Sequence, residues 1–151
     1  MPEIIIADTS VLIALEKIEL LQVLCKIYKE ILLPEAVVKE FGNISFGCHS
    51  VRNVDSRLIT ILIQDLNLGR GESEVIALAY ETNCNALIDD LKARRVAESL
   101  GLSISGSIGV LLKAEKLGFI NSALNKAQEL KNKGFYVSTE LLAELSKRKP
   151  P

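Results

Sequence analysis

Asp8 closes the apolar run EIIIA (residues 3–7), and Asp89 and Asp90 close a second run, ALI (residues 86–88). Two more acids lie in or near the turns that follow such runs: Glu40 in PEAVVKEF and Glu74 in ESEVIALA, with Glu72 two residues ahead of it. If the runs are parallel strands, these carboxylates meet outside the carboxyl edge of one sheet, where open α/β folds bind their ligands. Four carboxylates in one crevice repel strongly, since a pair at ~4 Å costs about 4 kcal/mol at an effective dielectric of about 20. A divalent cation removes that cost. Oxygen donors without histidine or thiolate favour Mg²⁺ or Mn²⁺, and the chemistry that follows is metal-activated water attacking a phosphodiester. Taken singly, each acid also suits a plainer role, Asp8 and Asp90 as helix caps and Glu72 and Glu74 as partners of a helix dipole.

The elements that must position these acids alternate along the chain. Residues 3–7 read as a buried parallel strand. Thr9 or Ser10 then caps a helix through Val11, Leu12, Ala14, Leu15 and Ile18. A helical stretch at 19–28, a strand at 30–33 and a helix at 35–41 follow, the last opened by Pro34 at its first turn. Residues 42–52, with two glycines, read as a loop, and 58–63 suit a strand or a helix equally. A helix at 71–83 has Glu72 and Glu74 in its first turn; a strand at 86–88, a helix at 91–100 and a strand at 102–105 come next. Helices at 106–117, 120–133 and 138–147 complete the pattern, separated by Gly118 and Gly134. Strands alternating with helices imply a mainly parallel sheet covered on both faces. The expectation is one domain over residues 1–146 and a solvated basic tail, 147–151, ending in proline.

Composition narrows the field. At 151 residues the chain fits one domain of about 150 residues, and 48% apolar with 25% charged residues is a globular balance. No run approaches the ~18–20 apolar residues of a membrane span, and the acidic start MPE is unlike a secretory signal; a soluble, cytoplasmic protein is expected. Cys25, Cys48 and Cys84 form no C-x-x-C pair, so free thiols are expected rather than a disulfide or zinc framework. The single histidine, His49, excludes multi-histidine metal sites. Neither Gly69-Arg70-Gly71 nor Gly106-Ser107-Ile108-Gly109 completes a nucleotide-binding glycine motif. A net charge of −1 makes no global case for polyanion binding. A local patch of Arg70, Lys92, Arg94 and Arg95 would have to supply it, unless those residues are a solvated helix face.

The strings IIIADTSVLIAL, LLPEAVVKEF, GRGESEVIALA, LIDDLKARRVA and SGSIGVLLKAEKLGFI together resemble the PIN-domain superfamily, and within it the short prokaryotic proteins related to VapC toxins. The resemblance runs from Ile4 to about Phe119 and reaches a PIN-like subfamily of unassigned function. It implies a three-layer α/β/α PIN-like fold with a short, mainly parallel central sheet, and a metal-dependent endoribonuclease whose acidic cluster binds Mg²⁺ or Mn²⁺. By position Asp8 matches the first acid and Ser10 its polar support; Glu40 matches the second. Glu74, with Glu72 as rival, matches the helix-start acid. Asp90 is preferred over Asp89 as the last, and Ser107 is a further supporting residue. Neutralising Asp8, Glu40, Glu74 and Asp90 moves the net charge from −1 to +3, which favours RNA. The same resemblance implies a cognate antitoxin as partner and a homodimer associating through helices. Two other classes stay open: a receiver-like or phosphatase-like phosphotransfer domain using Asp8, and a PIN fold serving only as a protein-binding module.

Overall fold

Three isoleucines and an alanine form β1 (Ile4–Ala7), in which Ile5, Ile6 and Ala7 are buried. β-branched side chains are stiff and pack well in a strand covered on both faces. The computed structural model describes residues 3–148. Within them β2 (Glu30–Pro34), β3 (His49–Arg52), β4 (Asn85–Leu87) and β5 (Ile104–Ser105) complete a sheet in the order β3-β2-β1-β4-β5, with every pairing parallel. Ile5 stands opposite Ile31 of β2 on one side and Asn85 of β4 on the other, so β1 is central.

Helices supply the crossovers. β1 leads through α1 (Thr9–Lys17), a 3₁₀ turn (Leu21–Val23) and α2 (Leu24–Ile27) to β2, and α3 (Glu35–Phe41) leads on to β3. The chain then reverses: α4 (Arg57–Gln64) and α5 (Arg70–Thr82) carry it back past β2 and β1 to β4, and α6 (Leu91–Ser99) takes it to β5. Right-handed crossovers running in opposite directions place their helices on opposite faces. α5 therefore covers β1, β2 and β4 on one face, while α1 and α2 meet α7 (Ser107–Lys116) on the other. α8 (Ala123–Asn132) packs on α7, and α9 (Thr139–Lys147) on α8. The result is a three-layer α/β/α fold. Among the described residues, no helix is long and apolar enough to cross a membrane.

The reversal of strand order falls between β1 and β4, and the backbone N–H of Asp8 donates to the Leu87 carbonyl at 3.0 Å across that point. A topological switch of this kind opens a crevice outside the strands' carboxyl ends. Asp8 caps α1, accepting from the Thr9 amide at 2.8 Å, and Asp90 caps α6, accepting from the Ala93 amide at 2.9 Å.

Two expectations need correction, and one ambiguity is resolved. Residues 49–52 are not loop but β3, an edge strand with Val51 and Arg52 exposed, so no apolar run announces it. Residues 58–63 lie in α4, with Ile59 and Leu62 buried. Cys25 of α2 and Cys48, just before β3, are joined in a disulfide with Cα atoms 5.6 Å apart, while Cys84 is free. α9 runs to Lys147, and Arg148 pairs with Glu115 at 2.6 Å; residues 149–151 of the expected tail lie outside the described residues. The apolar residues of the first helices are used within the chain: Val11, Leu12, Leu15, Ile18 and Leu24 are all buried.

Candidate active site

A cleft of about 560 Å³ opens at the switch point, and the carboxylates of Asp8, Glu40, Glu72 and Asp90 line it. Asp8 is only 3% exposed. Burial pushes its carboxyl up to about 7, opposed by the Thr9 amide and reinforced by the negative charges of Glu72, Glu40 and Asp89. Glu72 is raised above the ordinary range as well, by burial first and then by Asp90 and Glu40. Glu72 and Asp90 each accept from a backbone amide, Glu72 from Gly69 and Asp90 from Ala93.

Each acid is placed by a local feature. Glu72 sits in the first turn of α5, where one oxygen accepts from the Gly69 amide at 3.2 Å. Glu40, near the end of α3, lies so close to Gly71 that a Cβ there would collide with its carboxylate. Glycine at 71 therefore lets α3 and α5 bring two acids together. Asp89 is used differently: its two oxygens accept from the amide and hydroxyl of Ser107, and a Cβ on Gly106 would fall 2.5 Å from it. It ties the end of β4 to the start of α7, beside the cleft, and still adds negative potential at Asp8.

Glu74 stands apart. It is buried at 5% exposure, accepting from the Ala36 amide at 3.1 Å and pairing with Arg70 Nε at 2.6 Å. It lines a smaller hollow of about 190 Å³ next to the acid cleft. Two residues along a helix are ~200° apart around its axis, so Glu72 and Glu74 cannot both face one crevice. Ser10 does line the cleft, and its hydroxyl and that of Thr9 are buried without a hydrogen-bond partner. Among the basic residues, Arg70 pairs with Glu74, Arg94 donates to the Ile88 carbonyl at 3.1 Å, and Lys92 reaches the Asn67 carbonyl at 3.5 Å. Arg95 is exposed on α6. Sequence reasoning passed over Lys39, which lines both hollows, and the Thr9 hydroxyl. The neighbouring acid Glu40 was the only pointer to Lys39.

Among the described residues, no three histidine, cysteine, aspartate or glutamate side chains converge tightly enough to chelate one ion. The donors are nonetheless all oxygen, and two unpaired hydroxyls lie among them. Such a set fits a hard cation that keeps part of its water shell.

The chain thus joins a parallel three-layer α/β/α sheet to a cleft at its switch point in which one buried acid, Asp8, meets three more open ones. The family described as DUF3368, a PIN domain, matches residues 4–149, and the chain belongs to it. Its members share a fold whose domains are generally nucleases and typically bind divalent metals. No curated protein and no solved structure matches the chain.

Proposed function

We propose that the chain is an endoribonuclease dependent on Mg²⁺ or Mn²⁺, cutting RNA at the cleft lined by Asp8, Glu40, Glu72 and Asp90. The observation that carries this reading is Asp8: a carboxyl sealed from water at the switch point, surrounded by like charges and pushed up to about 7. Strongly perturbed groups in a cleft mark functional sites. The cation supplies charge neutralisation and a water of lowered pKa as nucleophile. The α1 cap holds Asp8 in one orientation, and the Gly69 and Ala93 amides hold Glu72 and Asp90. Ser10 and Thr9 keep hydroxyls free to donate to a phosphate oxygen or an ordered water. Glu74, spent on Arg70 and the Ala36 amide, is a positioning residue in this reading, and Asp89 holds Ser107 in place.

The finer reading, toxin of a toxin–antitoxin pair, rests on the resemblance of the motifs to VapC-type proteins. The deciding experiment incubates the purified chain with unpaired RNA. Cleavage with Mn²⁺, its loss in EDTA and its return on adding Mn²⁺ support the nuclease. Growth arrest on expression, relieved by a short neighbouring reading frame, supports the toxin. No cleavage at any Mn²⁺ concentration leaves a protein-binding module as the better account.

A further inference from the structure

The acid cleft explains where a bond would be cut but not how a polyanion is held beside four carboxylates. Lys39 and Arg70 line both the acid cleft and the 190 Å³ hollow next to it, and so stand on the wall between them. They come from the same two helices as two of the acids: Lys39 precedes Glu40 on α3, and Arg70 lies two residues before Glu72 on α5. None of the ion pairs among the described residues involves Lys39. Arg70 gives only its Nε to Glu74 and remains 61% exposed, leaving its terminal nitrogens available in a fixed direction. Guanidinium and ammonium groups so placed suit a phosphate.

We propose that this small hollow seats the nucleotide adjoining the scissile bond of an unpaired RNA, with Lys39 and Arg70 holding the phosphate between hollow and cleft; the assignment rests on the ribonuclease reading above. Two cations, Lys39 and Arg70, balance the hollow's two acids: Glu74 pairs with Arg70, and Glu35 accepts from the Asn53 side-chain amide at 3.2 Å. That pair leaves the Asn53 carbonyl, its second N–H and one Glu35 oxygen to meet a base edge, as proteins read splayed single-stranded bases. At 190 Å³ the hollow is below the ~300 Å³ of a drug-sized site and suits one base rather than a base pair.

The test compares a short unpaired RNA with bis(p-nitrophenyl) phosphate, a diester with a single phosphate and no base edge to read, both with Mn²⁺. For Lys39→Ala the loss in kcat/KM on RNA should exceed the loss on the small diester about tenfold, mostly in KM. Its salt dependence should fall by about one phosphate contact, a slope change of ~0.7 for single strands. Asn53→Ala should redistribute the cleavage sites. Lys131→Ala, exposed on α8, should change neither substrate. If wild type cleaves both substrates and the Lys39 and Asn53 variants match it in KM, salt slope and cleavage pattern, the hollow is no nucleotide seat. If wild type cleaves neither substrate, the ribonuclease reading falls and this assignment falls with it.

Discussion

Asp8 and Glu115 are two carboxylates sealed from water, at 3% and 7% exposure, and the fold treats them in opposite ways. Glu115 joins the last three helices: it accepts from the Ala123 amide at 2.7 Å and pairs with Arg148 at 2.6 Å. Those bonds hold its carboxyl below the ordinary range, the backbone amide contributing most. Asp8 has one amide, from Thr9, and otherwise faces acids, so burial drives it up to about 7. A buried charge normally survives only when paired and hydrogen-bonded. Glu115 obeys that rule within the chain. Asp8 breaks it, which makes sense where a partner arrives from outside.

Removing each charge should give the largest contrast. Asp8→Asn should lower Mn²⁺-dependent cleavage by about three orders of magnitude, or ~4 kcal/mol of barrier, while leaving the metal-free protein at least as stable as wild type. Glu115→Gln should do the reverse, with cleavage within a few-fold and stability reduced by about 1 kcal/mol, because a partly exposed Arg148 loses its anion while the Ala123 amide keeps an acceptor. Rates on RNA and melting temperatures of both variants decide it. Equal cleavage by Asp8→Asn and wild type would sink the site assignment.

Acidity separates the two by sign. Asp8 binds its proton more tightly folded (about 7) than at its ordinary value of 3.8, so its ionisation works against folding. Its cost is absent below about pH 4 and grows as pH rises to about 7, reaching ~4 kcal/mol by the shift of about three pH units. Glu115, held low, contributes stability that is present above the ordinary carboxylate range and lost on acidification. Urea unfolding of the metal-free protein should thus show Asp8→Asn gaining on wild type between about pH 4 and 7. Parallel pH curves for the two proteins would show that Asp8 titrates normally.

Metal should sharpen the contrast further. A cation bound only by the folded state adds ~2.7 kcal/mol at a hundredfold excess over Kd, or roughly 5 to 10 °C for a chain of this size. Wild type should gain that with Mn²⁺, and the double variant Asp8→Asn, Asp90→Asn should lose most of the gain while melting above wild type in EDTA. Glu115→Gln should keep the full Mn²⁺ shift from its lower baseline. If Mn²⁺ moves none of them, these acids are caps.

Much of this was readable from residue order. A buried strand ending in Asp8 and a second ending in Asp89 and Asp90 place acids at one sheet edge once strands alternate with helices. What could not be read depends on meetings between distant segments. β3 carries exposed residues on an edge and earns its pairing from β2, not from its own hydrophobicity. The Cys25–Cys48 bond spans 23 residues and exists because β3 draws Cys48 beside α2, which no spacing rule or compartment argument foretells. Likewise Asp89 and Asp90 are adjacent in sequence, yet only the approach of Gly106 and Ser107 commits Asp89 to α7 and leaves Asp90 to the cleft.

The smallest predicted effect concerns helix phase in α5, where sequence favoured Glu74 over Glu72. Both lie in the first turns, but the phase of the helix against α3 turns Glu72 toward Asp8 and Glu74 toward the Ala36 amide. Glu74→Gln keeps an oxygen to accept that amide and loses only the charge facing a largely exposed Arg70, so about 1 kcal/mol of stability should go. Its Mn²⁺ shift should persist. Glu72→Gln should lose little or no stability in EDTA, since the group it removes is raised by burial and by Asp90. Its cleavage and Mn²⁺ shift should both fall by a larger factor than those of Glu74→Gln. Thermal shifts of the two variants, with and without Mn²⁺, settle the assignment: if Glu74→Gln loses the metal response and Glu72→Gln keeps it, the phase argument is wrong and Glu74 must swing into the cleft when the ion binds.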